Sequence, residues 1–249
     1  MALHGSLIPQ RNIALFLDVD GTLLEIAKTP NDVKVPAALR NTLQLARARD
    51  GGALALISGR AIVELDQLFA PNVFAAAGLH GLERRSFRGQ VTRPHVDSEL
   101  LNPSRERLNQ LTTQYRGLLL EDKGTALALH FRLAPEREAI VQASMAELMT
   151  NLSDGFTLRK GKCVLEITPT GYTKGTAIEA FMKEEPFAGR TPVFIGDDVT
   201  DEDGFDAVNA MHGYSIRVGH PAKTSAKFNF GSESAVVAWL RERNVNPRD

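Results

Sequence analysis

Apolar residues along the chain follow two different rhythms. Residues 12–20 read NIALFLDVD, an unbroken apolar run that ends in carboxylates and then Gly21. Runs of this kind suit strands buried on both faces of a parallel sheet. The pattern recurs in ALALIS, ending at Ser58, in VFAAAG, ending at Gly78, and in PVFIGDD, ending at Asp197 and Asp198. YSIRV at 214–218 predicts a fifth strand. Helical segments separate these runs. Pro36 suits a first helical position, Leu39, Leu43 and Leu45 fall near one face, and Arg47 and Arg49 suit a last turn. Residues 61–69, 174–185 and 233–243 also predict helices. Alternating strands and helices imply an α/β fold, a parallel sheet flanked by helices. Ligands of such sheets bind beyond the carboxyl ends of the strands, where these runs turn polar.

From about residue 86 to 168 the rhythm changes. Residues 103–115 and 135–151 predict helices. TALALHFR at 125–132 alternates, with Thr125, Leu127, Leu129 and Phe131 on one face and Ala126, Ala128, His130 and Arg132 on the other. FTLRK and CVLEI flank Gly161-Lys162, which predicts a hairpin turn there. The expected organisation is a core from 1–85 and 169–249, interrupted by a small α+β module at 86–168.

Bulk properties narrow the class. Of 249 residues, 43% are hydrophobic and 24% charged, within the ordinary globular range, and the formal net charge of -1 gives no field for nucleic acid or an acidic membrane. Cys163 is the only cysteine, so no internal disulfide can form. Met1 to Ser6 lack a basic start followed by an apolar stretch, and no run is long enough to span a bilayer. The expectation is a cytoplasmic monomer whose partner is a small molecule, with neither nucleic acid nor membrane.

Candidate chemistry sits at the strand ends. Asp18-Val19-Asp20-Gly21-Thr22 places two acids before a turn. In Ser58-Gly59-Arg60, a hydroxyl and nearby N–H groups could hold a phosphate, or the serine could simply cap a helix. Lys174 stands at a helix start, against the helix dipole. Asp197 and Asp198 end a buried strand, where acids are costly without a partner; Asp201, Glu202 and Asp203 suit the first turn of a helix. A hard cation with oxygen ligands would supply the missing partner.

In this order the clusters resemble the haloacid dehalogenase-like (HAD) superfamily: DxDGT, then Ser or Thr, then Lys, then GDD. The resemblance implies a Rossmann-like HAD core and an inserted α+β cap of the C2B type. It implies Asp18 as nucleophile and Asp20 as general acid–base. Mg2+ would be held by Asp18, the Asp20 backbone carbonyl and Asp197, with Asp198 orienting its waters or Lys174. Lys174 and Ser58 would stabilise phosphoryl oxygens, beside Gly59 and Arg60. The superfamily's ATPases carry Thr where this chain has Asp20, which argues for hydrolysis or mutase chemistry over ion pumping.

Further segments resemble the trehalose-6-phosphate phosphatases: Gly78-Leu79-His80-Gly81-Leu82-Glu83, Lys123 with TALALHFR, Gly161-Lys162-Cys163-Val164-Leu165-Glu166 and the GDDVTDE run from Gly196. The resemblance extends from about Ile13 to Trp239 and implies hydrolysis of trehalose 6-phosphate. The alternatives are a phosphatase or mutase for another sugar phosphate, or a non-enzymatic sensor. His130 and Arg132 share a face with small alanines, which leaves room for a hydroxyl-rich ligand; Lys160, Lys162 and Glu166 lie around the neighbouring hairpin. The lesser alternative for these charges is a solvated sheet face; His80 reads equally as a loop histidine satisfying backbone groups. Closure of the cap about hinges near 84–88 and 168–172 is expected, the second containing Pro169 and Gly171.

Overall fold

The computed structural model describes residues 8–9, 11–26, 33–152, 154–220 and 223–245. The Met1–Ser6 stretch read for a leader lies outside them. Among the described residues no helix is long and apolar enough to cross a membrane.

In chain order the strands are β1 (Ile13–Leu17), β2 (Leu54–Ile57), β3 (Ala75–Gly78), β4 (Glu83–Arg85), β5 (Val91–Thr92), β6 (Leu119–Asp122), β7 (Leu127–His130), β8 (Phe156–Gly161), β9 (Val164–Pro169), β10 (Thr191–Gly196), β11 (Tyr214–Val218) and β12 (Phe228–Phe230). The α-helices are α1 (Ala37–Arg49), α2 (Ile62–Phe69), α3 (Asn102–Gln114), α4 (Glu138–Asn151), α5 (Lys174–Phe181), α6 (Glu202–Ala210) and α7 (Glu233–Val245). The chain divides into two compact units, one comprising residues 1–93 and 173–249 and the other Pro94–Tyr172.

The larger unit is built on an eight-stranded sheet ordered β12-β11-β10-β1-β2-β3-β4-β5. Its strands are parallel from β12 to β3; β4 and β5 extend the edge as antiparallel strands. Alternation along β1 explains its unbroken apolar run. Ile13, Leu15 and Leu17 join the core with Leu39 and Leu43 of α1 and Val236 of α7. Ala14 and Phe16 join the opposite core with Ile178 and Phe181 of α5 and Phe205 of α6. The chain leaves β1 towards β2 and β3 on one side and later fills β10 to β12 on the other. The order therefore reverses between β1 and β10, which is where open α/β sheets bind ligands.

The smaller unit has a four-stranded antiparallel sheet ordered β6-β7-β9-β8. Leu127, Leu129 and Phe131 pack with Val141, Met145 and Leu148 of α4 and Leu108 and Leu111 of α3, so the helices cover the face that the alternation marked as apolar.

Two local expectations shift, and four short strands join those expected. The β8–β9 turn falls one residue on, because Gly161 pairs with Val164 and Lys162-Cys163 make the bend, with Cys163 at φ 60°. The helix from Lys174 ends at Phe181 rather than near 185. The short strands β4, β5, β6 and β12 lack the apolar periodicity that marks the others.

A buried ion pair ties α7 to the end of α1: Arg243 donates to both oxygens of Asp50 at 2.6 and 2.7 Å. Truncating the arginine leaves a buried carboxylate without its counter-charge. Arg243→Ala is expected to cost about 3–5 kcal/mol in denaturant unfolding at an unchanged m-value. A loss below about 1 kcal/mol is the value of an exposed pair and would contradict the burial argument.

Candidate active site

β1 and β10 lie side by side, so the loops after Leu17 and Gly196 emerge together at the reversal point. The Asp18 N–H still donates to the Ile195 carbonyl at 3.0 Å, which fixes the first acid at the strand tip. Beyond it the chain turns back, with Leu23 and Leu24 N–H both donating to Val19 O at 3.0 Å. Gly21 lies at φ +88°, and a Cβ there would stand 2.2 Å from the Asp197 carboxylate. Only glycine lets the two loops approach this closely.

Lys174, the first residue of α5, reaches into this cluster. Its Nζ donates to Asp18 Oδ1 at 2.7 Å and to Asp201 Oδ1 at 2.6 Å. Asp18, Lys174 and Asp201 are 4%, 2% and 0% exposed. Burial pushes the Asp18 carboxyl well above its usual range; the Lys174 ammonium pulls it down, and the Asp201 and Asp197 charges push it up again. Burial alone would lower the Lys174 ammonium, but Asp18 and Asp201 more than reverse this, so its pKa is raised and it stays charged.

Asp201 joins the site although its sequence position suggested only a helix first turn. Its Oδ2 accepts from the N–H groups of Asp197 and Asp198 at 2.9 and 2.8 Å. A Cβ at Gly196 would meet its Cγ at 2.3 Å, so that glycine makes room for the carboxylate. Arg217 supports the same loop by donating to Asp198 O at 3.0 Å and to Glu202 Oε1 at 2.7 Å. The sequence signal was the spacing: an acid three residues after Asp198 and behind a glycine can fold back onto the loop that precedes it.

One ligand oxygen from each of Asp18, Asp197 and Asp201 lies within 4.8 Å of the others, so these three could hold a metal ion. The Asp20 side chain instead faces Arg60, whose Nε and Nη2 donate to its two oxygens at 2.6 and 2.7 Å. Ser58 is buried, its hydroxyl accepting from Arg60 N–H at 3.1 Å and its carbonyl from His80 N–H at 2.9 Å. His80 is buried at φ 56°, and its ring covers Gly59, where a Cβ would meet Nε2 at 2.7 Å. The larger unit thus brings Asp18, Asp20, Ser58, Gly59, Arg60, His80, Lys174, Asp197 and Asp198 to one end of its sheet.

The remaining predicted residues belong to the smaller unit. Cross-strand register aligns Glu121, Ala128, Glu166 and Arg159 in one row on the face away from the helices. His130 shares a hydrogen with Glu121 at 2.7 Å, and Lys123 donates to Glu166 at 3.1 Å. Burial raises the Glu121 carboxyl, but the hydrogen bond from His130 and the charge of Lys123 bring it below its usual range. Arg132 donates to the Lys162 carbonyl at 3.1 Å. Lys160 stands apart. Alternation along β8 turns it to the helical side, where it pairs with Glu138 of α4 at 3.0 Å. Glu121 and Arg159 join this polar face without having stood out in the sequence.

A profile of the trehalose-phosphatase family matches residues 16–234. The trehalose-6-phosphate phosphatase of Escherichia coli K12 is 45% identical over 227 residues, covering 91% of this chain and 85% of that protein. A probable trehalose-phosphate phosphatase of Sinorhizobium fredii NGR234 is 44% identical, covering 86% and 80%. Among solved structures, the C-terminal domain of the Candida albicans trehalose-6-phosphate phosphatase superposes with a TM-score of 0.84 over 98% of each chain, at 20% identity, a likeness of fold. With a reactive-looking acid cluster at its reversal point and a family match over most of its length, the chain belongs to the trehalose-phosphatase family.

Proposed function

We propose that this chain hydrolyses trehalose 6-phosphate to trehalose and phosphate, with Asp18 as nucleophile and Mg2+ as the cation. The observation that carries the reading is the buried Asp18 carboxylate held at a strand tip by Lys174 and facing Asp197. The family supplies the identity of the ester.

The donor set suits a hard divalent ion. Both oxygens of Asp201 already accept hydrogen bonds, one from Lys174 and the other from two backbone N–H groups. Asp18 and Asp197 then keep carboxylate oxygens for the ion, and the family resemblance adds the Asp20 backbone carbonyl; Mg2+ ordinarily takes one or two carboxylates with several waters. Asp198 would orient those waters; Lys174, the other residue it was expected to orient, bonds to Asp18 and Asp201. When bound, the ion supplies charge neutralisation between an attacking carboxylate and a phosphate dianion.

The chain's own residues do the rest. An Asp18 oxygen attacks phosphorus, the bond to the sugar oxygen breaks, and Asp20 gives its proton to that oxygen. Water then attacks the aspartyl-phosphate and loses its proton to Asp20, releasing phosphate and restoring the Asp18 carboxylate. Lys174 and Ser58 stabilise the phosphoryl oxygens as charge builds. In the smaller unit, the Glu121–His130 and Lys123–Glu166 pairs offer donors and acceptors suited to sugar hydroxyls, and such groups reject ligands that leave them unpaired.

Three outcomes are expected. Phosphate release from trehalose 6-phosphate in Mg2+ should vanish with a chelator and in Asp18→Asn, followed by a colorimetric phosphate assay; wild-type rates in that variant would remove Asp18 as nucleophile. Glu166→Ala and His130→Ala should lower kcat/KM for trehalose 6-phosphate more than for an aryl phosphate, and equal losses would contradict a role in reading the sugar. The third concerns the metal-free protein. With its pKa raised, folded Asp18 holds its proton to higher pH than the unfolded chain does. Stability therefore falls as pH climbs from the ordinary carboxylate range through the raised value. Lys174→Ala removes the cation that opposes this shift. Its metal-free form should lose about 3–5 kcal/mol near neutral pH, and the deficit should shrink on acidification. A deficit independent of pH would contradict the coupling.

A further inference from the structure

The loop carrying Ser58 and Arg60 is gripped from behind by the turn between β3 and β4. Leu79, His80 and Gly81 take φ values of 49°, 56° and 104°, a left-handed run that side chains seldom adopt. This backbone turns the Leu79 N–H onto the Arg60 carbonyl at 3.0 Å and the His80 N–H onto the Ser58 carbonyl at 2.9 Å. The turn closes on Glu83, which is 4% exposed. One oxygen of Glu83 accepts from the Ile62 N–H, the first residue of α2; the other accepts from Arg93 Nε at 2.7 Å. The junction leaves no room for a side chain at Gly78. A Cβ on Gly78 would stand 2.7 Å from Glu83 Oε1, 2.8 Å from the Arg60 carbonyl and 2.9 Å from the Ile62 nitrogen.

Arg60 lies between this junction and the reacting end of the site. Its backbone is held by Leu79 and Ser58, while its guanidinium grips both oxygens of Asp20. A two-pronged contact fixes the plane of the carboxylate as well as its place. Displacement of the Arg60 backbone would shift the point from which its guanidinium reaches Asp20.

We propose that Glu83 is a positioning residue for proton transfer: by anchoring Ile62 behind Arg60, it sets where Arg60 holds the Asp20 carboxylate. The proposal rests on the reading of Asp20 as proton donor to the leaving oxygen. A carboxylate that merely capped α2 would affect stability and leave the chemistry of leaving groups alone. A brace for the proton donor has a different signature. Misplacing the donor slows departure of oxygens that need a proton and spares those that leave readily as anions.

The test is kcat/KM on phenyl phosphate against p-nitrophenyl phosphate in Mg2+, because neither ester carries sugar hydroxyls and the parameter covers the steps through leaving-group departure. Glu83→Ala should lower the phenyl to p-nitrophenyl ratio by about 10–100-fold, the scale of a misplaced catalytic group. Glu83→Gln keeps an acceptor for the Ile62 N–H and should recover most of the ratio. Gly78→Ala wedges a methyl group into the same junction and should reproduce the loss, so a reading survives if Glu83→Ala does not fold; thermal melts report which variants are native. Asp20→Asn should lower the ratio further, and adding Glu83→Ala or Gly78→Ala to it should change the ratio no more. If Asp20→Asn slows both esters equally, Asp20 is not the donor, and the proposal falls with that reading. If Asp20→Asn is selective while folded Glu83→Ala and Gly78→Ala slow both esters alike or neither, the brace alone is overturned.

Discussion

A lysine ammonium buried between two aspartates is the contact on which the active end of the sheet depends. Three acids, Asp18 just beyond β1 and Asp197 and Asp201 beyond β10, meet where two strands emerge side by side, a place that without a cation would drive the loops apart. Lys174 bonds to Asp18 and Asp201 at 2.7 and 2.6 Å and lets those two stay buried beside the half-buried Asp197. Burial still weighs on Asp18, which sits well above its usual pKa in the metal-free protein. A divalent ion beside Asp18 and Asp197 would relieve that remainder, so the same electrostatic deficit that costs stability also favours metal binding.

The surrounding backbone is shaped to permit this crowding. Gly21 and Gly196 are both positions where a methyl group would strike a carboxylate. Asp201 then closes the loop from within by accepting from the Asp197 and Asp198 N–H groups, so the residue that anchors the lysine also sets the orientation of the acids before it. Arg60 and Asp20 form a second, outer pair. The division separates a dry centre from a more exposed rim, which fits the roles proposed for Asp18 and Asp20.

What could be read in the sequence follows from how far each signal reaches. The strand tips were legible because unbroken apolar runs end abruptly in acids, and parallel pairing brings such ends to one rim. β12, three residues long, and the largely solvent-facing β6 carry no period to read. The helical first-turn reading of Asp201 missed its partner, because Lys174 lies 27 residues earlier and meets it only through the packing of α5 beside α6. The pairing of Arg60 with Asp20 spans 40 residues and was hidden for the same reason. In the smaller unit, strict alternation from Leu127 to His130 was enough to sort core from open face. The same alternation applied along β8 would have sent Lys160 to the helical side, while cross-strand register brought Glu121 and Arg159 to the open one.

The most direct test of the central claim is to stop the reaction midway. Enzyme turning over trehalose 6-phosphate labelled in its phosphoryl group should be quenched in acid, digested and searched for the label. The account predicts label on the peptide containing Asp18 and on no other. Turnover with no label on protein, or label fixed at a different residue, would contradict it.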